Sequence, residues 1–419
     1  MPARPSRTVE VTAADGRFPR AEALLDQVLG GRFTMQIVVL YALTRIVTAI
    51  MLAMVAPHQL PAGMTDGEPV GYFGFTRIWD GKWYARIATE GYPSSVPRYP
   101  TGNAMQNPWA FYPAFPLLSR VVMAVTGLSF PVVGSTLALL FGFGAAVLLG
   151  RLMRDTVGRV GALLVVTLYA VFPSSPALQV CYTESLAMLL LTGYLLALRR
   201  ERWLVATGLA LLVGVSRPIA LPLGVVTLVA VGLRWRRRGS DPIDRREGVS
   251  ALAALAGCGV AGLTWPAIAW AATGERNAYV DTMGAWNSGG RVRIFQPWLD
   301  TPRYYLGDWA MPALVLVVAL IIGGMAGPWA ARLGPVLRTW PVAYAAYVMA
   351  AQGPGTSTPR YLLPMFAYLV PLLGLGWERH RPMLPPWLRW LWLMPISLWW
   401  QWKWISVLWL FTPPTDWAP

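Results

Sequence analysis

The sequence predicts an all-α polytopic membrane protein, and three observations carry that reading. Of 419 residues, 55% are hydrophobic and 13% charged, about half the charge of a soluble domain. Mean hydropathy is +0.46. Apolar runs approaching the roughly 20 residues of a membrane helix recur from Phe33 to the C-terminus. This balance excludes an ordinary soluble enzyme and a disordered chain. Cys181 and Cys258 lie in apolar stretches, so no disulfide framework or thiol metal set is expected. His58 and His380, the only histidines, sit in different segments and make no metal pair.

In chain order, residues 1–32 read as a disordered cytoplasmic tail. The run from Phe33 to Val55 exceeds the 7–15 or so residues of a signal-peptide core and reads as an uncleaved first span. Further spans are predicted at 131–150, 159–173, 183–198, 203–216, 218–233, 249–273, 308–327, 339–352, 361–377 and 388–411. That makes about 11 transmembrane helices in a single domain over 33–411, with a short tail at 412–419. Residues 111–127 are a twelfth apolar piece, broken by Pro113 and Pro116 and carrying Arg120. They either span or lie in the interface.

Charge placement chooses between these. Of the basic residues, 33 are Arg and two, Lys82 and Lys403, are Lys. Six Arg-rich pieces, at 1–32, 151–159, 199–202, 234–247, 332–338 and 378–389, carry 22 basic and ten acidic residues. They fall on one side only if 111–127 does not span. The positive-inside rule then places that side, and the N-terminus, in the cytoplasm. The net charge of +15 is mostly this topology signal, and no nucleic-acid partner is expected. Two long segments face outward, 56–130 and 274–307, and long loops in an economical membrane protein are usually functional.

The chemistry-bearing residues cluster on that outer side. Asp80 begins an amphipathic stretch with Trp79, Lys82, Trp83 and Tyr84. It reads either as a helix cap among interfacial aromatics or as a functional carboxylate. Glu184 follows Tyr182 at the outer end of a span, where a carboxylate is a capping group or a functional one. Arg217 and Arg360, the latter followed by Tyr361, lie at outer helix ends against the charge trend. Each snorkels or binds an anion. The Pro-rich segment 92–110 suits a lid, and Arg276, Arg291, Arg293 and Arg303 suit an anionic acceptor. The G-x-G-x-x-G match at Gly257–Gly262 lies in an apolar helix with no preceding strand, so helix packing explains it better than a dinucleotide. The C-terminal run holds ten of the 22 tryptophans and reads as an interfacial belt.

Several motifs together resemble the PIG-V (GPI mannosyltransferase II) family and its bacterial relatives. They are Trp79-Asp-Gly-Lys-Trp-Tyr with Ile87-Ala-Thr-Glu-Gly-Tyr, Phe111-Tyr-Pro-Ala-Phe-Pro-Leu, Phe172-Pro with Tyr182-Thr-Glu-Ser, Ser216-Arg-Pro, and Ser357-Thr-Pro-Arg-Tyr-Leu. Thr183 stands where the family usually has Ser, and Ile219-Ala departs from its pattern after Arg-Pro. The resemblance implies a GT-C fold in a bacterial plasma membrane with an extracytoplasmic active site. It implies inverting transfer of a sugar, most often mannose, from a polyprenyl-phosphate donor to a membrane glycolipid, with no metal cofactor. Asp80 would be the base, and Arg217, Arg360 and Tyr361 would hold the donor phosphate. Trp79, Lys82, Trp83, Tyr84, Tyr182 and Glu184 would contact substrate. Transferases of another sugar, such as arabinose, protein O-mannosyltransferases and, more remotely, a lipid flippase are the alternatives.

Overall fold

The computed structural model describes residues 27, 30–286, 290–379, 382–414 and 418–419. The expected tail at 1–32 falls almost wholly outside the described residues, as do His380 and part of the second outer loop. Among the described residues there is no strand, only an isolated bridge between Arg98 and Ala104.

The helices are α1 (Phe33–Val55), α2 (Tyr72–Thr76), α3 (Asp80–Thr89), α4 (Ala114–Thr126), α5 (Phe130–Ala170), α6 (Glu184–Arg199), α7 (Trp203–Gly214) and α8 (Ala220–Arg236). They continue with α9 (Arg245–Thr273), α10 (Ala278–Gly284), α11 (Pro297–Leu306), α12 (Ala310–Ala326), α13 (Gly334–Ala351), α14 (Thr358–Tyr361), α15 (Leu369–Leu372) and α16 (Pro386–Lys403). Four stretches are long and apolar enough to cross a membrane: Phe33–His58, Phe130–Ala170, Arg245–Thr273 and Pro297–Ala326. The chain is therefore all-helical and of membrane type.

The second of these stretches is a hairpin. Gly158 breaks α5 with φ 81° and ψ 176°. A Cβ built on Gly150 would lie 3.6 Å from the Val166 side chain, whereas 16 residues of straight helix span about 24 Å. The chain must turn back at Gly158, a conformation that glycine alone adopts cheaply. The two arms match the spans expected at 131–150 and 159–173.

Other expected spans are met by shorter helices. α6, α7, α8 and α13 have 16, 12, 17 and 18 residues. The stretch expected at 361–377 is instead a series of short turns with non-helical Met365. Pro364 and Pro371 remove backbone donors there. The second outer loop is more helical than expected, because α11 runs through a single 3-10 turn into α12. Helix α4 has 13 residues, about 20 Å, which alone does not cross a core of about 30 Å. Its Arg120 donates to the carbonyls of Ala88 and Ile87 at 2.6 and 2.9 Å, neutralising the C-terminal end of α3.

Helices α7 and α9 approach through small residues. A Cβ on Gly214 would come 2.6 Å from the Ala261 backbone, and one on Gly257 3.1 Å from Thr207. Of the glycine pattern at 257–262, Gly257 thus serves helix contact, whereas a Cβ on Gly259 would meet nothing within 4 Å.

Three of the Arg-rich pieces, 151–159, 199–202 and 234–247, meet at one end of the bundle beside the start of α1. Arg154 stacks on Phe33 at the start of α1, and Arg200 pairs with Asp155 at 2.9 Å. Arg237 pairs with Glu201, and Arg234 bonds Glu247. Arg199, which ends α6, also bonds Thr156 beside the Gly158 reversal. Glu184 begins α6, so it lies about 22 Å away at the helix's other end.

Candidate active site

At that far end, four residues spread over 280 positions meet. Arg360 Nη1 lies 2.5 Å from Asp80 Oδ2 and 3.2 Å from Glu184 Oε1. Arg217 Nη2 lies 2.9 Å from the same Glu184 oxygen. The result is an alternating chain, Asp80–Arg360–Glu184–Arg217, of two carboxylates and two guanidinium groups. Side-chain exposure falls from 24% at Asp80 to 2% at Glu184.

Each element presents its residue at an end. Asp80 and Glu184 are the first residues of α3 and α6, where the helix dipole favours a negative charge. Neither is a cap: the capping positions are Trp79 and Thr183, which make no side-chain capping bond. Arg217 follows α7 before Pro218 opens the turn into α8. Arg360 lies in α14, and Ser174 Oγ donates to Pro359 O at 2.7 Å, tying that turn to the segment leading to Glu184.

Trp79 has φ 60° and ψ −126°, a strained backbone for a bulky residue. Its indole donates to Trp409 O at 2.7 Å, and Trp409 donates to Phe75 O at 3.1 Å. These two bonds hold the strained turn that aims Asp80. Tyr182 is buried beneath the cluster. Its hydroxyl accepts from Asp80 N at 3.2 Å, and its ring lies 4.9 Å from the Arg360 guanidinium. Tyr361 faces the same guanidinium at 5.7 Å.

The network leaves polar atoms open. Glu184 Oε2 and Arg360 Nε are buried with no hydrogen-bond partner, and the contacts to Glu184 Oε1 are ionic without hydrogen-bond geometry. A cavity of about 10 Å³ lined by Glu184, Arg217, Ile219 and Leu363 adjoins them, the size of a single water. Such orphaned charged groups are costly unless a water or ligand meets them.

The aromatic candidates separate by burial. Trp79 and Tyr84 are core residues, and Tyr84 packs against Phe111, Phe115 and Tyr182, which leaves neither ring a face for a sugar. Lys82 turns away to Gly63 O and Asp66 Oδ1. Trp83 is three residues from Asp80 and so shares its helix face. It stacks on Phe111 at 5.6 Å and meets Trp286 edge-on at 5.9 Å. Trp286, on the second outer loop, was not anticipated, because its sequence neighbourhood carries no motif. Trp404 and Trp409 are buried core residues rather than belt, whereas Trp387, Trp392, Trp399 and Trp400 are exposed.

Segment 92–110 is docked rather than free-hanging. Arg98 pairs with Glu275 and Asp281, Asn107 Nδ2 donates to Thr282 at 3.0 Å, and Trp265 donates to Trp109 O at 3.0 Å. Around these bonds Trp109, Tyr112, Trp265 and Ala278 form a separate small core. This replaces the lid expected there with a clamp between the two outer segments.

Among the described residues no group of three or more His, Cys, Asp or Glu is placed to hold a metal. Compared with protein-family models, curated proteins and solved structures, the chain matches none.

Proposed function

We propose that this chain is a membrane glycosyltransferase of GT-C type, acting at the bundle end opposite the arginine-rich pieces. One observation carries the reading. The four residues that stand out against the sequence's charge pattern, and that sit in its PIG-V-like motifs, converge into a single network. The eleven-span topology, with this end extracytoplasmic in a bacterial plasma membrane, belongs to the same proposal. So does the donor, a polyprenyl-phosphate sugar with mannose as first choice.

The step balances as follows. An acceptor glycolipid hydroxyl attacks the anomeric carbon from the face opposite the phosphate. Asp80, the most exposed member of the network, takes the hydroxyl proton. A new C–O bond forms as the bond from the anomeric carbon to the phosphate oxygen breaks, and polyprenyl phosphate leaves with the electron pair. Arg360 positions Asp80 through their 2.5 Å contact. Arg217, whose one ionic partner among the described residues is the shared Glu184, is the better placed of the two arginines to turn toward a phosphate. Trp83, Phe111 and Trp286 offer a platform for a sugar ring. Arg45, buried in the middle of α1, is bonded to the Ala170 and Ser175 carbonyls, whereas the four charges of the network sit at helix ends, as a surface reaction requires, and not along a pathway through the bundle as a flippase would need.

The test is transfer by the purified full-length protein in nanodiscs, with radiolabelled polyprenyl-phosphate-mannose and a panel of glycolipid acceptors. A labelled glycolipid is the expected product. Label on protein acceptors alone, or label only from an arabinosyl donor, would replace this reading with one of its neighbours, and no product from any donor would remove it.

A further inference from the structure

Helix α16 ends in a π turn at Trp404–Trp409, with Leu410 N donating to Ile405 O at 3.0 Å. Such wide turns are rare in helices and recur at functional sites. This one stacks Trp404 on Trp409 at 5.5 Å and buries both, while Val407 between them stays exposed. Trp409 then meets both halves of the Asp80–Arg360 pair. Its carbonyl holds the Trp79 indole, one residue before Asp80. Its ring lies 5.1 Å from that of Tyr182, which carries the Asp80 amide on its hydroxyl and the Arg360 guanidinium over its face. Phe411 packs edge-on against Trp79 at 5.3 Å. Gln59 fixes Phe411 in turn, accepting from its amide at 2.9 Å and donating to its carbonyl at 3.0 Å.

The same segment returns to the turn that carries Arg360. Ala418 O accepts from Thr356 Oγ1 at 2.6 Å and from Ser357 Oγ at 3.1 Å. Ser357 is the N-terminal capping residue of α14, a place where a serine hydroxyl ordinarily bonds the helix's own amides. Here it makes no such bond and reaches across to Ala418 instead. Its carbonyl accepts from Arg360 N at 3.0 Å. We propose that the C-terminal segment, through Trp409 at one end and Ala418 at the other, is a positioning element that sets the contact between Arg360 and Asp80. Its part in catalysis rests on the glycosyltransferase reading above. It acts through other residues. It holds Trp79 at positive φ, where a bulky side chain is strained, and it fixes the turn that presents Arg360. Once released, the Trp79 turn relaxes and swings the Asp80 carboxylate off the acceptor hydroxyl, and an error of about 1 Å there costs about 10²-fold in rate.

Three variants loosen the element at separate points. Trp79→Phe removes the donor to Trp409 O, Trp409→Phe removes the donor to Phe75 O, and Thr356→Val combined with Ser357→Ala frees Ala418 O. In the full-length protein in nanodiscs, each should lower kcat about 10–100-fold while the KM for donor and acceptor stays within about twofold of wild type. A merely structural role lowers turnover by the same factor in any background. A positioning role does not: added to Asp80→Asn, each variant should reduce the residual turnover no further. The same loss on top of Asp80→Asn, or wild-type kcat in all three variants, overturns the proposal. Hydrogen exchange of the substrate-free protein reads the geometry without turnover. Amides of residues 78–82 should exchange faster in Trp79→Phe and Trp409→Phe, and that of Arg360 in the hydroxyl variant, with α9 at its wild-type rate as the sign of intact folding. Unchanged exchange at both turns overturns the proposal even in an active enzyme. Faster exchange, with no transfer by the wild type from any donor, keeps the element and removes the enzyme reading.

Discussion

The two ends of the bundle are both rich in ion pairs, yet they are built to opposite rules. At the arginine-rich end the buried Arg234 is matched by hydrogen bonds to both oxygens of Glu247, and the other pairs sit in water. Arg200–Asp155 and Arg237–Glu201 join exposed or half-exposed side chains, and such pairs contribute about 0–1 kcal/mol each. At the other end Glu184 is 2% exposed and shares one oxygen between two arginines, with its second oxygen unpartnered. A protein selected for stability alone gains little from buried, incompletely satisfied charges. On the proposed reading, the contrast separates charge that orients a chain in a bilayer from charge held in place to act on a substrate.

The sharpest way to break that contrast is Asp80→Asn. It removes the proton acceptor while preserving shape, and transfer should fall about 10²–10⁴-fold with donor binding and expression retained. Wild-type turnover by this variant would return Asp80 to a structural role. Next in size, Arg360→Ala removes the partner of Asp80 and one of the two guanidinium groups that face the buried Glu184, and should cost about 3–5 kcal/mol, read as a lowered unfolding midpoint in detergent. The matched change at the opposite end, Arg200→Ala, should cost no more than about 1 kcal/mol. Equal costs would show that the two ends do not differ in kind. Gly158→Ala forces a side chain into positive φ and should destabilise by roughly 1–2 kcal/mol, without changing the KM of whatever folded enzyme remains.

The smallest effect concerns the clamp between the outer segments. The Arg98 guanidinium, helped by the Val96 amide, holds the Glu275 carboxyl below its ordinary value of 4.5. Lys82 and Arg77 likewise hold Asp66 low. A depressed carboxylate stabilises the fold above its ordinary value, and that contribution is lost as pH falls through the lower folded value. Protease sensitivity of segment 92–110 should therefore be flat at neutral pH and rise below about pH 4.5. Glu275→Gln should remove that dependence. A rise in sensitivity toward alkaline pH would contradict the assignment.

The charge pattern and the apolar runs determined much of this protein by themselves. They located the bounds of α1, the C-terminal end of α9, the turn between the arms of α5, and the grouping of three arginine-rich pieces, because hydrophobic burial and charge at membrane ends are local costs that each segment settles alone. They also singled out Asp80, Glu184, Arg217 and Arg360 as charges in the wrong places. Only the tertiary structure decided that these four touch, that Arg360 reaches Asp80 rather than standing free, and that Trp79, Tyr84 and Lys82 are committed elsewhere. It likewise decided that Trp286 comes to Trp83, and that the segment 92–110 is a clamp. Those outcomes depend on packing between residues hundreds of positions apart, and nothing in a local pattern of polarity records which helix end will face which.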